Sequence, residues 1–488
     1  MIRYQVLCIL LACFGATFYG YDTSITASVL AYNSFIQYFE LNNDTIGAMN
    51  SAYQAAAALG ALSNFYLPNR LGRLRTIILG CTISVIGVTL QTSAQNYPMF
   101  VVGRTIGGIA CGIVFSVCPV YANEISPAYF RGRVGALYAL NITASFLITQ
   151  CVGLGLYFIK GNTSWRLLFA LQLIPALSLA IFSIRMPESP RFLALVGRDK
   201  EALEILRQLH GGGKETAEYN ESDSYYQEFL EIRAQIEEDR SYTRSWRTII
   251  SKSSYLRRFA LIIGFFFFQQ FTGIIPLAAY QVIIYQMLGV RAVTSLILTV
   301  VYGIATTLGV ITCGFWLDKV GRRPALLACY AGMIPSMGLI VGFWIGFEKS
   351  GNQNLGLVKG VLVGIYLVAF IFSGVMNAFG PTYASEIMPT EIRAAGLAAG
   401  YFVFNALAVL ISQITPTAIA SISWRYFLIF LIMDCIFIVI AYLFYPETRN
   451  LALEHIGKAF GDKVATAQQL SGESIVVSTS LQPSKLID

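Results

Sequence analysis

Charge is scarce in this chain: Asp, Glu, Lys and Arg make up 12% of 488 residues, against 56% hydrophobic ones. A water-soluble exterior of that size needs more polar surface, so lipid must solvate much of the molecule. Histidine is nearly missing, with only His210 and His455, both in polar segments away from the cysteines. The nine cysteines (Cys8, Cys13, Cys81, Cys111, Cys118, Cys151, Cys313, Cys329 and Cys435) fall in apolar segments, and no two are separated by two residues. That pattern argues against a metal centre and reads as reduced packing residues. Gly211-Gly212-Gly213 has no Lys-Ser or Lys-Thr pair after it, so it is a linker rather than a phosphate loop. No extramembrane segment gathers a nucleophile with a base. An enzyme is therefore not expected, and neither is a cofactor. The net charge of +7 would suit nucleic acid, but the basic residues sit in short segments between apolar runs, where membrane topology explains them.

What is abundant is long apolar sequence. Stretches able to cross a bilayer cover about 5–31, 45–67, 76–94, 98–122, 134–159 and 165–186, then 259–288, 292–317, 325–347, 356–385, 394–421 and 424–445. The run from Gln5 to Ala31 is too long for a cleavable signal and lacks a clear small-residue cleavage site, so it reads as the first span. Segments of this length satisfy their backbone groups in hydrocarbon as helices, which excludes barrel strands. The fold class expected is an all-α membrane protein of twelve transmembrane helices in two six-helix bundles, over 1–186 and 258–446. Residues 187–257 are expected to be a cytosolic linker with short helices, and 447–488 a cytosolic, largely disordered tail rich in Ser, Gln and Thr.

Three charged motifs occur twice, in the same order, with about 250 to 260 residues between copies. Arg70-Leu71-Gly72-Arg73 answers to Lys319-Val320-Gly321-Arg322-Arg323. Glu124-Ile125-Ser126-Pro127 with Arg131 answers to Glu386-Ile387-Met388-Pro389 with Arg393, and Pro187-Glu188-Ser189-Pro190-Arg191 answers to Pro446-Glu447-Thr448-Arg449. Duplicated halves in a membrane protein suggest a transporter built around their seam. Most basic residues fall on the side of these motifs, which makes that side, and both termini, cytosolic. The sequons at Asn43 and Asn162 then lie outside, open to glycosylation, while those at Asn141 and Asn220 should stay bare. The plasma membrane is the location expected.

The order and spacing of these motifs resemble the sugar porter family of the major facilitator superfamily, fungal-type sugar transporters included, over about residues 10 to 460. The most specific stretch is Gly103-Arg104 with Gly108 and Gly112, then Pro119, Tyr121, Glu124, Pro127, Arg131 and Gly132. Pro187-Glu188-Ser189-Pro190-Arg191 matches the motif after the sixth helix, and Gln269-Gln270 with Gly273 matches the start of the seventh-helix signature.

Asp22 and Arg104 are the single charges in the first and fourth spans, each costly in lipid unless paired or hydrated. A separation that changes during transport would change how readily the carboxyl takes up a proton, so the pair is either a proton-coupling device or a fixed structural ion pair. Proton-linked members of the family are similar at both positions. Asp434 is a second lone carboxylate, in the twelfth span, for which the resemblance supplies no role. Arg70, Arg73, Arg322 and Arg323 are placed within reach of Glu124 and Glu386. The resemblance implies that such pairs, with Arg131 and Arg393, latch an inner gate; the alternative is that these charges only set topology.

Sugars offer hydroxyls and apolar ring faces, which suits the amides of Gln269 and Gln270, although amides in spans also bridge helices. The resemblance implies that these two bond substrate, that Asn141 stands in place of a fifth-helix Gln doing likewise, and that Tyr280 is one of two tyrosines at the site. The chain departs from the family at Ile275 for Asn, Ala279 for Tyr, Pro381 for Trp, Thr306 for Asn and Asn69 for Asp. Losing an amide and an indole leaves a more apolar pocket, which puts glucose itself in doubt. The expected function is proton-coupled uptake of a sugar or related polyhydroxy compound, with substrate, protons and lipid as partners. The alternatives are a carrier of a polyol or a non-sugar cyclic acid, and a nutrient receptor on the same scaffold.

Overall fold

The computed structural model describes residues 3–64, 66–126, 131–210, 224–241, 253–314, 320–388, 393–448 and 460. Among them every regular element is a helix. In the first half these are α1 (Arg3–Val29), α2 (Asn33–Tyr38), α3 (Asn43–Ser63), α4 (Leu67–Leu71), α5 (Arg73–Ser93), α6 (Tyr97–Glu124), α7 (Arg131–Leu156), α8 (Thr163–Ala170) and α9 (Leu173–Arg185). Between the halves lie α10 (Pro190–Leu195), α11 (Asp199–His210) and α12 (Ser224–Ser241). The second half has α13 (Ser253–Gln270), α14 (Ile274–Ala279), α15 (Gln281–Met287), α16 (Ala292–Gly314), α17 (Arg322–Lys349), α18 (Leu355–Ile387), α19 (Arg393–Ile422) and α20 (Arg425–Phe444).

Among the described residues, eleven helical segments are long and apolar enough to span a membrane. The stretch expected over 45–67 forms α3, which is long enough but too polar to be counted with them, carrying Asn50, Ser51 and Gln54 among its alanines. It is shielded by protein instead: α3 lies along α6 on one side and α19 of the other half on the other. Its contact with α6 is backbone to backbone, since a Cβ at Gly112 would sit 2.0 Å from the carbonyl oxygen of Ala57. The seventh span starts at Ser253, earlier than the expected 259, because the polar turn Ser253-Ser254-Tyr255 is already helical.

Local sequence sets the helix ends. Asn42 caps α3 reciprocally with Thr45, each side chain accepting the other's backbone N–H at 2.8 Å. Asn96 accepts the Met99 N–H at 2.9 Å to start α6. Two spans are broken. The sixth is interrupted between α8 and α9, at Leu171 and Gln172, and the seventh where Gly273 takes φ +76° ahead of Ile274. The short linker helices share a small core of Phe192, Leu193, Leu206, Tyr225 and Phe229. Gly211-Gly212-Gly213 and almost all of the tail lie outside the described residues.

Candidate functional site

The two mid-membrane charges of the first half meet. An Asp22 oxygen accepts from Arg104 Nη1 at 3.1 Å, with side-chain exposures of 7% and 2%. Arg104 Nη2 donates to the Thr26 hydroxyl at 3.2 Å, and the guanidinium carbon lies 4.2 Å from the centre of the Tyr53 ring. The same Asp22 oxygen accepts a 2.6 Å bond from Gln172 Nε2, at the break between α8 and α9. The Asp22 carboxylate is thus held by one cation and one amide. Thr26, Tyr53 and Gln172 were not singled out from the sequence; the signal for Gln172 is a lone amide in an apolar run.

At the opposite end of the bundle each half builds the same cluster. Arg73 grips Glu124 through two bonds of 2.8 Å, and Arg322 reaches Glu386 at 3.1 Å through Nε and 2.9 Å through Nη2. The second carboxylate of each cluster caps a helix start: Glu188 accepts from Arg73 N at 3.1 Å, and Glu447 accepts from Arg322 N at 2.9 Å and Arg323 N at 3.0 Å. Ser189 and Thr448 each donate 2.5 Å to the paired glutamate. Both helices start after a glycine with positive φ, +94° at Gly72 and +102° at Gly321, whose missing Cβ makes room for the capping carboxylate.

The sequence put Arg70 and Arg323 with the glutamates, and this is corrected. Arg73 spans both oxygens of Glu124, and both Arg322 contacts go to one oxygen of Glu386. Arg70 lies over the Tyr66 ring at 4.7 Å, while the Arg323 guanidinium donates to the Tyr442 carbonyl and lies over its ring. Both glutamate pairs close within their own half. Helices α7 and α19 begin at Arg131 and Arg393, whose side chains lie outside the described residues.

Gln269 is 6% exposed at the last turn of α13, and its Oε1 is buried without a partner. Gln270 Nε2 donates to the Phe404 carbonyl at 2.8 Å, leaving its Oε1 buried and unpartnered. The Asn141 amide donates 3.1 Å back to Leu137 of its own helix, and Ile275 is half-buried on α14. Tyr280 is fully buried and bridges the halves: its hydroxyl accepts from Asn50 Nδ2 at 2.8 Å and donates to the Ser412 carbonyl at 2.7 Å. Ser51 to Gln413 at 2.7 Å and Thr417 to Asp44 at 2.8 Å continue this polar seam between α3 and α19. Asn43 is exposed and Asn162 half-buried, both at the end of the bundle away from the arginine clusters.

A family model described as Sugar (and other) transporter matches residues 8–460. The chain is 27% identical to the MFS-type transporter criB of Aspergillus cristatus, covering 95% of this chain and 94% of that protein. It is 26% identical to High-affinity glucose transporter 1 of Candida albicans, covering 94% and 86%, and 28% identical to Probable polyol transporter 6 of Arabidopsis thaliana, covering 95% and 96%. Among solved structures it is similar to the proton:xylose symporter XylE bound to 6-bromo-6-deoxy-D-glucose, with a TM-score of 0.77 at 22% identity over 94% of this chain and 99% of that one. The inward open xylose transporter XylE from E. coli gives 0.76 at 22% identity, over 93% and 100%. The fold is therefore that of a major facilitator.

Proposed function

The chain belongs to the Sugar (and other) transporter family, and we propose that it is a proton-coupled carrier of a sugar or related polyhydroxy compound, working by alternating access. The observation that carries the coupling is the triad of Asp22, Arg104 and Gln172, buried together in the first half. In this reading Asp22 takes up a proton when Arg104 or Gln172 withdraws, and gives it up when they return, so proton binding and helix position are one equilibrium. The units that move are residues 1–186 and 258–446, with Tyr280 and the α3/α19 seam closing one end. The two arginine clusters hold the helix ends at the other, so that rearranging them favours opening there. Gln269 and Gln270 supply unpaired amide oxygens to substrate hydroxyls.

The side of the arginine clusters is cytosolic in this reading, with both termini there, and Asn43 and Asn162 face the outside of the plasma membrane as glycosylation sites. A polyol is the second reading, favoured by Ile275 and Ala279 where the family has an amide and an aromatic, since a pocket with fewer ring contacts suits an open-chain substrate. The test is uptake of hexoses, pentoses, disaccharides, polyols and cyclic acids into cells lacking their own carriers. Accumulation that collapses with a protonophore supports coupled transport and the substrate transported names the class; no uptake of any compound would favour the nutrient receptor.

A further inference from the structure

The second half holds a buried acid to which the coupled-carrier reading gives no task. On α20 the buried face runs through Phe427, Phe430, Asp434, Phe437 and Ala441, while Ile432, Cys435 and Ile436 are exposed. Spacings of three and four place Asp434 in the inward stripe, with Phe430 and Phe437 one turn to either side. Asp434 is 1% exposed, and both of its carboxyl oxygens are buried without a hydrogen-bond partner. Tyr330 of α17 is its electrostatic neighbour; the Tyr330 ring packs on Phe437 with centroids 4.7 Å apart, and its hydroxyl is buried and unpartnered as well.

Among the described residues, the other ionisable groups on the elements packed against α20 leave Asp434 without a counter-charge: Glu348 and Lys349 are at the far end of α17, where Glu348 bonds Ser423 and Trp424, and Arg425 at the start of α20 lies over the Trp424 ring. Cys329 of α17 is directed at Met333 and the Ile371 carbonyl, and Tyr445, just past α20, donates to the Leu261 carbonyl at 2.6 Å. Arg257 and Arg258 lie at the far end of α13 from Gln270, against the Phe460 ring, and Arg322 and Arg323 at the start of α17 are engaged with Glu386, Glu447 and Tyr442. Tyr401 of α19 packs on Phe266. An ionised carboxylate buried among aromatic side chains with neither cation nor donor is far less stable than the neutral acid.

We propose that Asp434, with Tyr330 as its positioning neighbour, is a second proton-binding site in the second half, separate from Asp22 and Arg104. Loading moves one proton from the aqueous phase onto an Asp434 oxygen and changes no other bond. The neutral acid then carries one O–H donor, with the Tyr330 hydroxyl as its polar neighbour. Unloading needs water between α17 and α20; that step rests on the alternating-access reading, whereas proton binding does not.

Infrared difference spectroscopy on the full-length protein in lipid tests this. At neutral pH the wild type should show a protonated-carboxyl C=O band that is missing in Asp434→Asn and retained in Asp22→Asn, and the band should move on transfer to D2O as the acid exchanges. In Tyr330→Phe, which keeps the aromatic packing and loses the hydroxyl, the band should shift in frequency; this variant decides the matter if Asp434→Asn does not fold. An unchanged band in Asp434→Asn or Tyr330→Phe, no band in the wild type, or a band that never exchanges in D2O would overturn the proposal. Because Asp22→Asn tests coupling and Asp434→Asn tests this site, failure of either reading is visible without the other.

Discussion

In the first half the membrane-embedded acid, Asp22, meets a cation and an amide across three helices; in the second, Asp434 lies between Phe430 and Phe437 on its helix, and both it and its neighbour Tyr330 lack a hydrogen-bond partner. Yet the arginine clusters at the ends of the two halves share their parts, from the glycine that opens the helix to the glutamate that caps it. The difference teaches where the duplicated scaffold was free to diverge. Both halves need the same hinge chemistry where helices end, but only one needs an acid whose charge is compensated in place. Within the clusters themselves the copies are graded: Arg73 and Glu124 are 8% and 11% exposed, against 17% and 25% for Arg322 and Glu386.

The comparison breaks most sharply at Asp22. Asp22→Asn removes the carboxylate while keeping the shape that Arg104 and Gln172 hold, so in the coupled-carrier reading accumulation against a gradient should fall at least about tenfold, or about 1.4 kcal/mol, while downhill exchange of labelled substrate persists. Arg104→Leu strands the carboxylate and should abolish both, as uptake assays with and without protonophore would record.

The grading of the clusters sets the next effect. Removing one partner of a well-buried pair costs about 3–5 kcal/mol, so Arg73→Ala should lower the thermal midpoint of the detergent-solubilised protein clearly, and Arg322→Ala by less because water screens that pair more. Equal shifts would show that the exposure difference carries no energetic weight. Tyr280→Phe removes a hydroxyl bonded on both sides and leaves Asn50 and the Ser412 carbonyl short of a partner, a loss of about 1–3 kcal/mol. Since those bonds join the halves, the protein should spend more time open at that end, which labelling of a cysteine introduced at Ala48, beside the seam and outside these bonds, in the Tyr280→Phe background and in its absence would register as a faster rate. Glu188→Gln and Glu447→Gln should have the smallest effect, about 0.3–1 kcal/mol each from the lost charge at a helix start.

Much of this fold is legible in the sequence because the length and apolarity of a span are properties of a single segment. The exception is α3, whose polarity makes sense only once α6 and α19 cover it. The same limit governs the site. Asp22 and Arg104 announce themselves as lone charges in apolar runs, but Gln172, Thr26 and Tyr53 are unremarkable until packing brings residues distant in sequence onto the pair. The duplicated motifs place Glu188 and Glu447 in corresponding positions, yet their capping role depends on backbone N–H groups freed by a helix start, which residue identities do not display. Tyr280 is the instructive case: the family resemblance put it near substrate, and here its hydroxyl is fully engaged between Asn50 and Ser412.

The most direct test of the central claim is proton movement itself, measured with a pH-sensitive dye inside proteoliposomes when the substrate identified by uptake is added outside. Wild-type protein should carry protons with substrate, and Asp22→Asn should exchange substrate with no proton signal. Equal proton flux in the two, or substrate-driven accumulation by wild type without any proton movement, would contradict the account.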